Sequence, residues 1–269
     1  MKLKWIVCVC ALLAVFPAWS EKIPVELEGV GIDPKLGARL DGSLKFRDES
    51  GREVALGSFF DGRRPVVLVL AYYGCPMLCG VLLNGVRDSL QNLEWKLGPQ
   101  YRIVTVSIDP QEQFTLAKNK KNSVLESLNR EDFRAAAATD WHFLTGPKES
   151  SERLAQQIGF RYKWDKNRKE WAHGAAIFFI SPDGVLTRAL FGLAFDAKSL
   201  RLALLEASRG KVGTLAEKFL LFCYHYDPKG RKYALVASRV MQLAGGLTVL
   251  IVAAAYLLWF LPSKRKGDL

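Results

Sequence analysis

Two cysteines four residues apart, Cys75 and Cys79 in "YYGCPMLCG", are the side chains of this 269-residue sequence best suited to chemistry. Pro76 fits the first position of a helix, where its missing N–H costs nothing. Cys75 then takes the N-cap, where orphan backbone N–H groups and the positive end of the helix dipole favour a thiolate. Cys79 follows one turn later on the same side. Such a pair can exchange disulfides, because residues i and i+4 of a helix stand about 6 Å apart by Cα, within a disulfide's reach. It can equally hold a soft metal: Cu(I), zinc or an iron–sulfur cluster. Zinc normally takes four ligands, so two thiolates are an incomplete set. A further donor has to come from elsewhere, and the chain has only three histidines.

His142, in "WHF", sits inside a short apolar stretch and reads as a structural, hydrogen-bonded residue. His173, in "EWAHGAAIFFI", stands just before an apolar run, next to a glycine that permits close backbone approach. Loops at such strand ends often carry sites. His225 belongs with Cys223 in "LLFCYHYDP". If this segment is extended, the two side chains point the same way and form a second pair of copper-capable ligands. The surrounding Phe219, Phe222, Tyr224 and Tyr226 also suit an interfacial aromatic belt with Cys223 as a small apolar filler.

The chain ends limit where this chemistry takes place. Residues 1–20 have a basic start, an apolar run from Trp5 to Phe16 and a small-residue stretch ending at Ser20, the layout of a signal peptide. Residues 240–261 contain no charge and are followed by the basic tail 262–269. At 1.5 Å per residue this stretch would make a helix of about 33 Å, which predicts a transmembrane span. The positive-inside rule then leaves "KRK" in the cytoplasm. The expected location is an inner membrane, with the globular domain in the periplasm.

Cys8 and Cys10 would leave with the signal peptide, and Cys75, Cys79 and Cys223 remain. An odd number of cysteines in an oxidising compartment argues against a purely structural disulfide framework. The formal net charge is +11. An exported chain has little access to nucleic acid, so the basic runs at 118–122 and 161–169 read as solvated faces, with attraction to anionic lipid or an acidic partner left open.

Hydrophobic patterning supplies the elements that must position these residues. Residues 21–40 read as an extended arm, and 43–56 as a hairpin around "DESG". "PVVLVLAYY" (65–73) is a strand buried on both faces that leads directly into Cys75. A helix follows, then a second buried strand at 101–109, a second helix, a short strand at 141–146 and a helix after it. "AAIFFISPDGVLTRALFG" (175–192) is a hairpin turning at Pro-Asp-Gly, and residues 197–209 form a last helix. This order predicts an α/β, thioredoxin-like domain with an added hairpin over 41–209. Residues 210–239 are a juxtamembrane linker leading to the C-terminal transmembrane helix.

Over roughly residues 40–208 the sequence resembles the Sco/SenC family, thioredoxin-fold copper-binding assembly factors of cytochrome c oxidase. The resemblance rests on Cys-Pro-x-x-Cys in "YYGCPMLC", on "VSIDP", on "WHFLTG" and on the histidine before "IFFISPDG". It implies copper ligation by Cys75, Cys79 and His173, as Cu(I) with Cu(II) left open, and delivery to the dinuclear centre of oxidase subunit II. It leaves two alternatives standing: a thiol-disulfide oxidoreductase acting on the oxidase cysteines through Cys75 and Cys79, and a copper or redox sensor. Many relatives carry an acidic residue directly before the histidine, where this chain has Ala172. A carboxylate supporting the imidazole would then come from Glu170 or Asp109.

Overall fold

The computed structural model describes residues 29–75, 78–208, 224–227, 232–235 and 237–260. Its centre is a five-stranded sheet. Strands β4 (Val66–Ala71), β5 (Arg102–Ser107) and β6 (Trp141–Leu144) run parallel, and β10 (Ala176–Ile180) and β11 (Leu186–Phe191) join antiparallel beside β4. The spatial order is β11-β10-β4-β5-β6. Right-handed crossovers through helices are what parallel neighbours require, and the sequence provides them. Helix α1 (Leu78–Gln91) links β4 to β5, and α2 (Phe114–Glu126) with α3 (Glu131–Asp140) links β5 to β6. After α4 (Lys148–Ile158) the chain reaches the β10–β11 hairpin and then α5 (Ala197–Ala207). This mixed α/β arrangement is consistent with a thioredoxin-like fold.

Every residue of β4 is buried, and its side chains alternate between two cores. Val67 and Val69 face a cluster with Leu82, Leu83, Val86 and Leu90 of α1, Phe133 of α3 and Leu204 of α5. Val66, Leu68 and Leu70 face the opposite cluster, with Leu154 and Ile158 of α4, Phe46, Leu56 and Phe59. A strand sandwiched in this way reads as a continuous apolar run, which is why 65–73 is legible as one.

The segment before the sheet closes both of its outer edges. Strands β2 (Lys45–Arg47) and β3 (Glu53–Ala55) pair as the expected hairpin. Arg47 exchanges backbone hydrogen bonds with Thr145 just past β6, and the Phe143 N–H donates to Glu49 Oε2 at 3.1 Å. On the other side, the Leu186 N–H donates to the Ala38 carbonyl at 2.9 Å and the Gly37 N–H returns a bond to the Leu186 carbonyl at 2.8 Å. Further out, β1 (Gly31–Ile32) pairs antiparallel with β7 (Phe160–Arg161).

Three elements differ from the sequence reading. Helix α3 was not expected. The basic run 161–169 forms most of a hairpin, β8 (Lys163–Asp165) with β9 (Glu170–Ala172), rather than a featureless solvated face. Within the run 118–122, Lys121 is buried, ion-paired to Glu49 and donating to the Ala138 carbonyl at 2.8 Å.

The C-terminal span is a correction. Helix α6 (Ala237–Phe260) covers most of 240–261, but among the described residues no helix is long and apolar enough to cross a membrane. Its sequence includes Gly245, Gly246 and Thr248, and the unbroken apolar run after them extends from Val249 to Leu261. At 1.5 Å per residue a helix over that run would cover about 20 Å of a hydrocarbon core about 30 Å thick. The expected signal peptide at 1–20, most of the linker 210–239 and the tail 262–269 lie outside the described residues. Within the linker, β12 (Tyr224–Asp227) pairs antiparallel with β13 (Lys232–Leu235).

Candidate metal centre

The site begins where β4 stops. The last ladder bond there runs from the Ile108 N–H to the Ala71 carbonyl at 2.9 Å. Tyr72 and Tyr73 continue the alternation of the strand, each joining a different core cluster. The Tyr73 hydroxyl donates to the Leu144 carbonyl at 2.8 Å, which pins the chain beneath the loop. Gly74 is exposed and Cys75 is half-buried. Cys75 packs against the cluster that contains Tyr72, and its N–H donates to the Tyr72 carbonyl at 3.4 Å. Cys79 is the second residue of α1; its side chain lies outside what the structure describes.

His173 follows β9 directly and is buried, 8% exposed. Its ring meets Tyr72 edge-on with centroids 6.1 Å apart and lies 6.0 Å from Phe160. Nδ1 is 2.8 Å from the Gly174 carbonyl oxygen, which can only accept. Nδ1 therefore carries the proton, and the lone pair of the neutral ring is on Nε2. Burial lowers the histidine's pKa, while the bond to Gly174 and the charge of Glu170 pull it partly back. The imidazole is thus kept neutral, the form that ligates metals.

Cys75 and His173 thereby share Tyr72 as a neighbour, the first through the Tyr72 carbonyl and the second through its ring. A half-buried thiol and a neutral imidazole form a soft donor set that fits Cu(I). Among the described residues no group of three or more His, Cys, Asp and Glu could hold a metal ion; the second thiol, Cys79, is not among the described side chains.

The other expected residues fall elsewhere. Glu170 contributes charge to His173 but not the hydrogen bond that orients it, which comes from the Gly174 backbone. Asp109 caps a turn: its Oδ1 accepts the Gln111 N–H at 2.9 Å. His142 packs on Phe59 with centroids 4.8 Å apart, and burial lowers its pKa, as suits a structural residue. Cys223 lies outside the described residues. The backbone of His225 is paired with Ala234, with nothing described of its side chain.

Sequence reasoning missed Glu112. Its carboxylate accepts the N–H of Gly74 at 2.6 Å and of Tyr73 at 2.9 Å, the two residues before Cys75. "DPQEQF" reads as a turn and a helix start. The available signal was in the other partner: two consecutive backbone N–H groups leaving a buried strand with no ladder to join.

A mixed α/β domain with a cysteine just past a buried parallel strand and a histidine before the antiparallel hairpin is consistent with a thioredoxin-like fold. The model of the SCO1/SenC family matches residues 33–201, well over half of the chain, and the protein belongs to that family. Solved structures agree on the fold. A putative electron transfer protein from Aquifex aeolicus VF5 is 19% identical, with 65% of this chain and 95% of that chain covered and a TM-score of 0.56. A putative electron transport protein from the same organism is 18% identical, covering 65% and 99%, with a TM-score of 0.53. BsSco, described as a member of the Sco family of cytochrome c oxidase assembly proteins with a disulfide switch, is 19% identical over 65% and 96%, with a TM-score of 0.52. A search of the curated proteins by sequence finds no match.

Proposed function

We propose that this protein binds copper as its cargo through Cys75, Cys79 and His173, and serves assembly of the copper centre of cytochrome c oxidase subunit II. The observation that carries this reading is the contact that orients the His173 ring. A bond from Nδ1 to the Gly174 carbonyl orients a buried ring that meets the Tyr72 ring, and the Tyr72 carbonyl accepts the Cys75 N–H. A disulfide exchanger needs only its two sulfurs. An oriented neutral imidazole adds nothing to that reaction, whereas it completes a three-coordinate Cu(I) set. Family membership points the same way. Two thiolates and one imidazole bind Cu(I) tightly yet leave it open to an incoming thiolate, so the ion can pass to a partner through shared-ligand intermediates.

A second reading, thiol reduction of the oxidase cysteines, uses the same sulfurs. In that reaction Cys75 and Cys79 give up two electrons and two protons, closing a disulfide as the partner's disulfide opens to two thiols. The disulfide switch described for BsSco favours keeping it in view.

The test is anaerobic Cu(I) titration of the reduced protein against a chromogenic competitor, with His173→Ala beside the wild type. The variant is expected to lose at least tenfold in affinity and to show one nitrogen fewer around copper by X-ray absorption. Unchanged affinity and coordination would transfer the function to thiol exchange.

A further inference from the structure

Glu112 devotes both carboxylate oxygens to the segment that leads into Cys75. Oε1 accepts the Gly74 N–H at 2.6 Å, and Oε2 accepts the Tyr73 N–H at 2.9 Å and the Ser107 hydroxyl at 2.6 Å. The Ser107 oxygen in turn accepts the Asp109 N–H at 3.1 Å, and its single proton has Glu112 Oε2 as the nearer acceptor and the Asp109 carbonyl, at 3.3 Å, as the farther one. Three donors and no acceptor face this side chain. Burial pushes the Glu112 pKa up and the bonds from Ser107, Tyr73 and Gly74 pull it back. The ionised form accepts on both oxygens without a proton of its own to place, whereas a glutamine of the same shape would turn an NH2 group onto one of the backbone N–H groups.

The location of the two N–H groups gives the clamp its meaning. β4 has ended, so Tyr73 and Gly74 have no strand on which to spend them. Gly74 has no side chain to pack, and its backbone is the only part of it that can be held. A Cβ at this position would lie 3.3 Å from Glu112 Oε1, so glycine permits the close approach of the carboxylate. On the near side of the clamp, Tyr72 touches His173. On the far side comes Cys75. The two clamped residues are the whole covalent path between the imidazole's neighbour and the sulfur.

We propose that Glu112 is a positioning residue of the thiol site, whose ionised carboxylate holds Tyr73 and Gly74 and so sets where the Cys75 sulfur stands relative to His173. The proposal rests on the copper reading above and names the element that pre-organises that site. Outer-sphere partners of this kind typically contribute about 10–100-fold to metal affinity.

The experiment compares full-length wild type, Glu112→Gln and the milder Ser107→Ala, which removes one of the three bonds and leaves the carboxylate. Each is read by Cu(I) competition on the reduced protein, by amide hydrogen exchange in the copper-free state and by thermal unfolding. Glu112→Gln is expected to weaken Cu(I) binding at least tenfold and to speed exchange at Tyr73 and Gly74 at least tenfold, with Ser107→Ala changed in the same direction by less. Affinity within twofold of wild type in a folded Glu112→Gln protein overturns the proposal. So does a loss of affinity with Tyr73 and Gly74 still protected, because that is general destabilisation. If Glu112→Gln does not fold, Ser107→Ala decides by the same two readouts. Cys75→Ser and His173→Ala run alongside: if these also bind copper like the wild type, the copper reading has failed rather than the clamp, whose exchange signature stands apart from copper.

Discussion

Gly85 offers a quantitative check on how α1 seats the second cysteine. It lies on the helix that carries Cys79, and a Cβ built there would stand 1.7 Å from the carbonyl oxygen of Leu193 and 2.9 Å from its carbon. The obstacle is backbone and cannot rotate aside, so in Gly85→Ala the helix has to withdraw on the order of 1 Å from a core packed like a crystal. Leu82, Leu83, Val86 and Leu90 on that helix are each 1% exposed or less, and all of them lose contact as it moves. Two effects oppose each other. Alanine gains about 1 kcal/mol over glycine in a helix interior, whereas forcing a methyl into a filled space costs about 1–3 kcal/mol or more. With rigid backbone as the obstacle the cost lies at the upper end, leaving a net loss of about 2 kcal/mol. For a domain of this size that lowers Tm by about 4–8 °C. Gly80→Ala on the same helix is the internal comparison: nothing lies within 4 Å of its Cβ, and it is expected to hold or raise Tm. Calorimetry of the two variants measures both signs. A Gly85→Ala protein as stable as the wild type would refute the close approach of α1 to Leu193, and with it the placement of Cys79's helix.

Two further outcomes follow from the same geometry. The pKa of His173 is lowered by burial, so as pH falls from its ordinary value towards its folded value the unfolded chain takes up a proton that the folded one does not. Stability from this residue is complete above about pH 6.5 and is lost below it. The difference in urea midpoint between copper-free wild type and His173→Gln should therefore shrink on acidification; a flat difference would refute the burial argument, and His142, shifted in the same direction, is common to both proteins. Gly159 caps α4 at φ 77°, where its Cβ would meet the Asp33 carbonyl oxygen at 1.8 Å. Gly159→Ala should break the Asp33 N–H bond to the Gly159 carbonyl and detach β1 from β7, seen as fast exchange at Asp33, while the central sheet stays protected.

The candidate sulfur and imidazole positions could be singled out because such residues are scarce in this chain and stand near buried strands that announce themselves by apolar pattern. Glu112 was not legible. Its role depends on a contact reaching back 38 residues to a backbone N–H, and no local pattern encodes that. The orientation of His173 escaped for the same reason. A carboxylate from Glu170 or Asp109 was expected to support the imidazole, but the group bonded to its Nδ1 is the carbonyl of its own neighbour, Gly174. Among elements, the alternating run 43–56 gave its hairpin, whereas the β8–β9 hairpin was hidden under its charges. Trp171 meets Tyr162 and Trp164 edge to face with centroids 5.4 Å apart, a packing that charge counting does not see. Helix α3 was hidden by its small side chains, since only Phe133 and Ala137 reach the core. The uncharged stretch 240–261 misled in the other direction, because absence of charge is a weaker property than an unbroken apolar run.

The strand edges closed by residues 37–49 bear on how this protein can be handled and trimmed. An open edge offers a row of unsatisfied N–H and C=O groups to any passing chain. Here Ala38 and Gly37 occupy one margin of the sheet, and Arg47 with Glu49 occupies the other. A fragment cut to start near β4 would keep nearly all of its core and all three candidate ligands. It would nevertheless bare two sticky margins at once, one on each flank, and could zip into sheet-to-sheet stacks from both sides. Residues that look like a dispensable lead-in are therefore what keeps each copy of this molecule apart from the next.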